Sequence, residues 1–240
     1  MSSFLHKDIR RLVGKAIHER QMIVDGDHIL VSVSGGKDSM SLLWLLRDRK
    51  KWVPIDYRLT AVHVDPGFGA KSGEKMRDFF EANGFEYRII ESDCGPKAHS
   101  SYNLENPCFL CSKLRRKVIF ELADELKCAK IAFGHHKDDI IETFFVNIFY
   151  GASISTMVPV QPFFKGKITI IRPLFMVEEK MITRYVTSMG WPAIPLGCPT
   201  AGFSKREVIK TMLDRFYKEN KKVKGNIFHA LQNVRREYLL

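Results

Sequence analysis

The 240-residue sequence has no long apolar run. A membrane-spanning helix needs about 18 or more consecutive apolar residues, and Glu142 and Asn147 interrupt the most apolar helical stretch, 140–150. We therefore exclude integration into a membrane. The sequence also lacks an apolar segment followed by a small-residue cleavage site, so we expect a cytoplasmic protein.

Cysteine is sparse, with five residues in the chain. Disulfides are rare in a reducing cytoplasm, so we interpret the cysteines as candidate ligands or nucleophiles. Two of them carry no predicted chemistry: Cys128 is expected to be a small buried core residue, and Cys94 is expected to lie in a long loop over 94–107. Internal repeats and low-complexity tracts are absent as well.

Positive charge is concentrated at the two ends of the chain, whose formal net charge is +11. Residues 1–20 carry five Lys or Arg against two acids, and residues 204–240 carry ten against four. Positive surfaces attract polyanions and supply phosphate contacts to nucleic acids. The alternative is a solvated helix face that lysines keep soluble.

The order of the predicted elements indicates a doubly wound parallel α/β sheet. Apolar, β-rich segments at 28–33, 58–64, 86–91 and 129–133 alternate with helical patterns at 39–50, 71–83, 112–126 and 138–150. A docked helix is predicted at about 4–20. Residues 151–173 contain Gly and Pro and have no strong pattern apart from a short predicted strand at 168–171. The segment after it predicts a helix near 178–189 and basic helices at about 204–217 and 224–236. We divide the chain into a catalytic domain, 1–195, and a C-terminal loop with basic helices, 196–240.

A glycine-containing turn follows the first predicted strand and predicts a phosphate site. Backbone N–H groups at a helix N-terminus can contact an anion closely where glycine removes the side chain. The turn is not a Walker motif, because Val31 and Asp38 occupy positions that need Gly and Ser or Thr. In isolation it could be a plain strand-to-helix connection. The residues that we assign to nucleotide binding are Ser34, Gly35, Gly36, Lys37, Asp38, Ser39, Val64 and Gly134.

Cys108 and Cys111 are spaced as a CxxC pair at the start of a predicted helix, where the helix dipole favours thiolate. Such a pair is typical of a zinc site, a redox dithiol or an iron–sulfur site. A second CxxC pair is absent, and Cys198 is the other cysteine in a loop flanked by Gly and Pro. Three thiolates could bind a [4Fe-4S] cluster that has one iron without a protein ligand.

Acidic residues near the predicted phosphate turn indicate a magnesium site. Asp138 and Asp139 follow the fourth predicted strand, and Asp38 lies in the turn itself. Carboxylates close to a triphosphate are typical of Mg²⁺ ligands, although an isolated Asp pair more often caps a helix. We assign no proton transfer to His135 or His136.

Taken together, the motifs resemble those of a known family. The turn resembles the PP-loop of the N-type ATP pyrophosphatases, and the combination resembles the tRNA 2-thiocytidine synthetase family over about residues 28–215. The segments that carry the resemblance are SGGKDS at 34–39, CFLCSKLRR at 108–116, GHHKDD at 134–139, NIFYG at 147–151 and IRPL at 171–174.

This resemblance implies ATP-dependent thiolation of C2 of a cytidine in the tRNA anticodon loop. It implies a [4Fe-4S] cluster on Cys108, Cys111 and Cys198, catalytic roles for these cysteines and for Lys37, Asp38 and Asp139, and Mg²⁺ on Asp38, Asp138 and Asp139. ATP would adenylate the C2 oxygen, and sulfur from sulfide or a persulfide carrier would displace AMP. The family suggests a homodimer. We predict that four lysines contact tRNA phosphates: Lys218, Lys221, Lys222 and Lys224.

Two positions depart from the family pattern. Glu142-Thr143 is closer to uridine-thiolating enzymes and lysidine synthetases, and Cys198 has no second cysteine nearby, whereas the absence of zinc-binding end modules favours cytidine. The rival interpretations are a 2-thiouridine synthetase, a PP-loop ligase that activates a carbonyl for an amine, and a non-catalytic nucleotide- and RNA-binding iron–sulfur redox sensor. A measurement of iron content distinguishes the ligase from the thiolating enzyme. Pyrophosphate release stimulated by tRNA distinguishes the non-catalytic sensor from it.

Overall fold

The computed structural model describes residues 3–101, 103, 107–191, 194, 196–200, 202 and 204–238. The chain forms two compact units. The sheet unit comprises Met1–His136 and Val158–Pro199, and the helical unit comprises Lys137–Met157 and Thr200–Leu240. The predicted division at 195 differs from this one because it places 137–157 with the sheet.

A six-stranded sheet in the order β3-β2-β1-β4-β6-β5 forms the centre of the sheet unit. All pairings are parallel except that of β5, which runs antiparallel to β6 at one edge. The strands are β1 Asp27–Ser32, β2 Tyr57–Asp65, β3 Tyr87–Glu91, β4 Lys130–Ala132, β5 Val160–Phe163 and β6 Ile168–Ile171.

Helices cover both faces of this sheet. Parallel crossovers are right-handed, so the reversal of strand order between β3 and β4 places α5 opposite α2 and α3. Leu122 and Ala123 of α5 pack against buried strand residues such as Leu30 and Ile131. The helices of this unit are α1 Ser3–Glu19, α2 Lys37–Arg49, α3 Ser72–Ala82, α4 Cys94–Ala98, α5 Pro107–Glu125 and α7 Glu179–Met189. The predicted doubly wound α/β class is confirmed.

The N-terminal helix is docked, as its apolar spacing predicts. Ile9, Val13 and Ile17 are buried, and Arg10 pairs with Asp48 of α2 at 2.8 Å. These contacts explain why a basic first segment forms part of the folded unit.

The helical unit has its own small core. It contains α6 Lys137–Gly151, α8 Lys205–Glu219 and α9 Val223–Ala230. Ile141, Ile209 and Leu213 are buried together, and Phe145 and Phe228 pack against them. None of the helices in the described part of the chain is both long enough and apolar enough to cross a membrane.

Two sequence predictions of local structure need correction. The loop expected over 94–107 contains α4, and the helix expected over 224–236 ends at Ala230, whereas the helix expected to open with the CxxC pair does begin there, at Pro107. Residues 102 and 104–106 of the expected loop lie outside the described residues. The edge strand β5 was not predicted, because its Pro162 disfavours a strand except at an edge or a bulge.

Candidate functional site

The turn after β1 has the geometry of an anion-binding loop. The Ser34 backbone N–H donates to Ser39 Oγ at 3.1 Å, and the Ser39 hydroxyl donates to the Gly36 carbonyl at 2.9 Å. Gly36 is the N-cap of α2, with extended backbone at φ −77° and ψ 155°. The turn therefore leads directly into a helix N-terminus, whose N–H groups and dipole favour an anion.

Two glycines allow neighbouring backbone to contact this loop. Gly35 has φ +85°, and a Cβ there would lie 3.0 Å from the Ile194 carbonyl oxygen. At Gly134, just after β4, a Cβ would lie 2.9 Å from the Ser39 backbone nitrogen. Since both contacts are with main chain, a side chain at either position would displace the loop. Gly134 therefore lies against the phosphate loop.

Lys37 lies at the first position of α2, between two carboxylates. Its Nζ is 3.0 Å from Glu179 Oε1 and 3.5 Å from Asp38 Oδ2. Burial alone would lower the pKa of Lys37, but the Asp38 and Glu179 charges outweigh it and raise that pKa. Asp38 Oδ1 is 3.7 Å from Nε2 of the buried His136. The ammonium is therefore held next to the loop in its charged form.

Polar contacts also order the end of β2. The buried His63 donates from Nδ1 to the Val33 carbonyl at 2.8 Å, and its Nε2 is 3.1 Å from Ser72 Oγ. Ser72 in turn donates to Asp65 at 2.8 Å. Burial lowers the pKa of His63. These bonds connect the residue before the phosphate loop to the start of α3.

Val64 is the predicted nucleotide-binding residue of β2, and its side chain lies in the core. It is 6% exposed and belongs to the same apolar cluster as Leu30 and Val62. Its backbone pairs with Ile90 of β3, one residue before the end of β2. Its contact with a nucleotide stays a prediction.

Arg172 follows β6 and is buried. Its Nε donates to His135 Nδ1 at 3.2 Å, and its terminal nitrogens donate to the Val158 carbonyl and to Gln161 Oε1. Because Nδ1 accepts a hydrogen bond, His135 is held in the neutral form with its proton on Nε2. Burial lowers the pKa of Arg172 to about 10. This contact orients the segment that contains Gly134.

The predicted thiol group involves a fourth cysteine. Cys108 and Cys111 lie in the first turns of α5, Cys108 exposed and Cys111 buried. Cys94, expected in a loop, is instead the first residue of α4 and packs in one cluster with Cys111. The half-buried Cys198 lies close enough to Cys111 to affect its ionisation. Cys128 is a buried core residue, as predicted.

Burial determines the protonation of Cys111. It raises the pKa of Cys111 to about 11; the Arg115 charge opposes this, and Cys94 and Cys198 add to it. The expectation that the helix N-terminus favours thiolate is therefore wrong for Cys111 in the absence of a ligand, because desolvation outweighs the helix dipole.

The three predicted thiols are soft donors of the kind that hold an iron–sulfur cluster. Among the described residues, no group of three or more His, Cys, Asp or Glu is arranged to hold one metal ion. In a [4Fe-4S] cluster each cysteine thiolate binds a different iron. Cys108, Cys111 and Cys198 all belong to the sheet unit, and their soft sulfur donors fit such a group.

Two of the three acids predicted for magnesium, Asp138 and Asp139, lie on the first turn of α6 in the helical unit, whereas Asp38 lies on the first turn of α2 in the sheet unit. Asp138 is buried and paired with Lys224 of α9. Asp139 Oδ1 is 3.1 Å from Arg206 of α8, which also donates to Thr143 at 2.9 Å. Lys224, predicted to contact tRNA phosphate, therefore has a carboxylate partner inside its own unit.

Sequence reasoning missed the partners of several site residues. Glu179 and Arg206 are separated from Lys37 and Asp139 by 142 and 67 positions, so no local pattern marks these ion pairs. Cys94 was set aside because its Gly-Pro neighbours indicated a loop. For Arg172, the IRPL segment marked the position without indicating its partners.

The fold and the loop define a PP-loop protein, and a family model described as a PP-loop domain matches residues 5–192. The tRNA-cytidine(32) 2-sulfurtransferase of Alkalilimnicola ehrlichii is 39% identical, covering 98% of this chain and 76% of its own length. The corresponding enzyme of Syntrophotalea carbinolica is 37% identical, covering 98% and 92%. This chain belongs to the tRNA-cytidine(32) 2-sulfurtransferase family and is a transferase. The predicted family is confirmed.

A solved structure supports the fold independently. The U34-tRNA thiolase NcsA from Methanococcus maripaludis, described with its [4Fe-4S] cluster, has a TM-score of 0.78 to this chain at 24% identity. The similarity covers 98% of this chain and 80% of the thiolase. The two proteins share one fold.

Proposed function

We propose that this enzyme uses ATP to replace the C2 oxygen of a cytidine in the tRNA anticodon region with sulfur. The observation that carries the proposal is the presence in one unit of a phosphate-binding loop, 34–39, and the cysteines Cys108, Cys111 and Cys198. A phosphate loop alone serves many reactions, and the thiols add the means to handle sulfur. The names of the relatives indicate tRNA and cytidine as the substrate.

The loop residues would act in the first step. The C2 oxygen leaves poorly, so it first bonds to the α-phosphorus of ATP while the bond from that phosphorus to the β-phosphate oxygen breaks. Lys37 and the N–H groups at the start of α2 stabilise the charge that develops on the departing pyrophosphate. In the second step sulfur bonds to C2, the C2–O bond breaks, and AMP carries the oxygen away.

The cysteines would hold the sulfur chemistry. Cys108, Cys111 and Cys198 are proposed to bind a [4Fe-4S] cluster, which supplies one iron position without a protein ligand for sulfur. For Cys111 to bind iron, its proton must leave Sγ, and the nearby Arg115 charge favours that loss. The proposed sulfur donor is sulfide, or a persulfide carrier whose S–S bond a second thiol reduces by forming a disulfide.

Three carboxylates are proposed to hold Mg²⁺: Asp38, Asp138 and Asp139. Oxygen ligands of this kind suit a hard cation, and each lies at the start of a helix. Lys224 and Arg206 already partner Asp138 and Asp139, so the metal would exchange with these cations. Asp38→Ala should therefore impair ATP use.

The proposed assembly follows from the resemblance and from charge. The basic segment around Lys218, Lys221, Lys222 and Lys224 would contact tRNA phosphates, and two copies of the chain would form a homodimer. We place the reaction in the cytoplasm, where a tRNA substrate is available.

The first test is mass spectrometry of modified nucleosides in bulk tRNA from cells with and without this protein. We expect loss of 2-thiocytidine alone. Loss of 2-thiouridine instead would keep the reaction class and change the base. Persistence of every thiolated nucleoside, in cells without a second such enzyme, would contradict tRNA thiolation.

A further inference from the structure

Several apolar side chains are exposed at the last turn of α6 and in the loop that follows it. The proposed reaction does not use them. Phe149 is 54% exposed, Tyr150 48% and Ile154 67%. Three consecutive positions, 148–150, are exposed and apolar. We call Ile148, Phe149, Tyr150 and Ile154 the α6 apolar end.

Hydrogen bonds hold the α6 apolar end in a defined shape. The Asn147 side chain donates to the Ser155 carbonyl at 2.9 Å and to its hydroxyl at 3.0 Å. The Ser153 N–H donates back to the Asn147 carbonyl at 3.1 Å. These bonds fix the chain reversal after the helix, and they give the NIFYG segment a structural role.

Cations border the aromatic side chains. Lys205 Nζ lies 4.6 Å from the centre of the Tyr150 ring, within the range of a cation–π contact. Lys205 also begins a face of α8 whose members recur every three or four residues: Lys205, Val208, Met212 and Arg215. These four residues line an open groove of about 700 Å³. Lys205 therefore joins the groove to the α6 apolar end.

Charge indicates what this surface binds. Residues 137–157 and 200–240 carry eleven Lys or Arg against seven acids, and Asp138, Asp139 and Glu142 among those acids face Lys224 and Arg206 inside the unit. The groove itself carries Lys205 and Arg215 against Glu207. A unit and a groove that both have net positive charge favour a polyanion over a second copy of the same surface. A polyanion that also offers flat apolar rings is a nucleic acid.

We propose that the α6 apolar end and the groove of α8 form a stacking platform for unpaired RNA bases, with Lys205 and Arg215 contacting the phosphates. Single-stranded nucleic acids bind through aromatic stacking inside a basic groove, and unpaired loop bases are accessible to side chains in a way that duplex bases are not. The inference rests on the proposed function and names the part of the enzyme that holds the anticodon loop.

The test compares two RNA probes by fluorescence anisotropy: a synthetic anticodon stem-loop and a fully paired duplex of equal nucleotide number. We expect Phe149→Leu and Tyr150→Leu each to weaken stem-loop binding about tenfold, the scale of one lost base stack, and to leave duplex binding unchanged. Tyr150→Phe, which keeps the ring, should bind like the original chain. Phe164→Leu is the control, because Phe164 is equally exposed but lies in the sheet unit.

Salt dependence separates stacking from charge in the same assay. The leucine variants should leave the slope of log Kd against log salt concentration unchanged, whereas Lys205→Gln should reduce its magnitude by about one. Equal stem-loop affinity in the leucine variants and the original chain would overturn the inference, and so would equal losses for stem-loop and duplex.

Two further outcomes identify which claim has failed. If light scattering shows a dimer that Phe149→Leu converts to a monomer with unchanged RNA affinity, the α6 apolar end is a contact between copies and the inference is overturned. If the original chain binds neither RNA, the proposed function fails together with the inference.

Discussion

The sheet unit and the helical unit hold their functional residues in different ways. In the sheet unit, main chain packs on main chain, as at Gly134 against the Ser39 nitrogen. In the helical unit, long side chains reach across helices, as Arg206 reaches Asp139 and Lys224 reaches Asp138. A glycine marks the first kind of contact in the sequence, whereas no local pattern marks the second kind, which joins residues 67 and 86 positions apart.

The difference has an energetic side. A steric contact has no dependence on salt, and a Cβ at 2.9 Å from a main-chain nitrogen forces a displacement under all conditions. Ion pairs respond to their surroundings: exposed pairs are screened, and buried pairs become costly when one partner is removed. The phosphate loop of the sheet unit should therefore be sensitive to side-chain size at Gly134, and the acids at the start of α6 to charge and pH.

The largest expected effect concerns the thiols of the sheet unit. Cys108→Ala, Cys111→Ala and Cys198→Ala should each abolish sulfur transfer while ATP binding is retained, because the phosphate loop lies on a different segment. The measurements are 2-thiocytidine formation, iron content and ATP affinity. Cys128→Ala is the control, since Cys128 packs in the apolar core. Full thiolation by the Cys198 variant would contradict the three-ligand cluster.

In the helical unit, the largest expected effect is on pH dependence at Glu142. Burial raises the pKa of Glu142 from its ordinary 4.5 to about 7, although Arg206 opposes the shift. Between these values the unfolded chain releases a proton that the folded chain retains, so stability falls as the pH rises from about 4.5 to 7. The loss is about 3 kcal/mol.

Glu142→Gln should remove this fall, because the amide does not ionise. Urea unfolding at several pH values measures the difference between the variant and the original chain, which should change by about 3 kcal/mol across that window. Glu219→Gln, at an exposed acid of the same unit, is the control. Parallel stability profiles for the original chain and Glu142→Gln would disprove the assignment.

A matched pair of glycine variants tests the comparison directly. Gly134→Ala should cost about 1–3 kcal/mol of stability through overpacking and weaken ATP binding, because the new methyl group displaces the phosphate loop. Gly225→Ala in α9 meets nothing within 4 Å and should stabilise its helix by up to about 1 kcal/mol. Thermal unfolding and ATP titration measure both. Similar changes in stability and ATP affinity for the two variants would contradict the idea that main-chain packing is critical at Gly134 and not in α9.

The smallest expected effects are those of single exposed lysines. Lys221→Gln and Lys222→Gln should each weaken tRNA binding severalfold and reduce the salt slope by about one, since each removes one phosphate contact. Lys224→Gln should instead destabilise the helical unit, because it leaves the buried Asp138 without its cation. Unchanged salt slopes for Lys221→Gln and Lys222→Gln would show that RNA binds at another surface.

Periodic and motif-based features of the fold were predictable from the sequence. Alternation of apolar segments and helical patterns predicts the parallel sheet, and Gly35 and Gly36 predict an anion-binding turn at the start of a helix. The family assignment depends on five short segments, whose combination is specific to one family although each segment alone is not. Each of these features is encoded within a few consecutive residues.

Features that depend on distant partners could not be predicted. Arg172 and His135 are 37 positions apart, and only the folded sheet brings the end of β6 next to the segment after β4. Cys94 shows a second limit: Gly95 and Pro96 favour a loop locally, whereas packing against Cys111 stabilises a short helix. The raised pKa of Cys111 likewise depends on burial, which the CxxC pattern does not reveal.

The antiparallel strand β5 protects one edge of the sheet. Pro162 pairs with Thr169 in the middle of β5, and proline has no N–H to offer to a further strand. This edge is therefore poorly suited to recruiting a strand from another molecule. The protein should resist edge-to-edge aggregation here at the high local concentrations reached during synthesis, and Pro162→Thr would be expected to reduce that resistance.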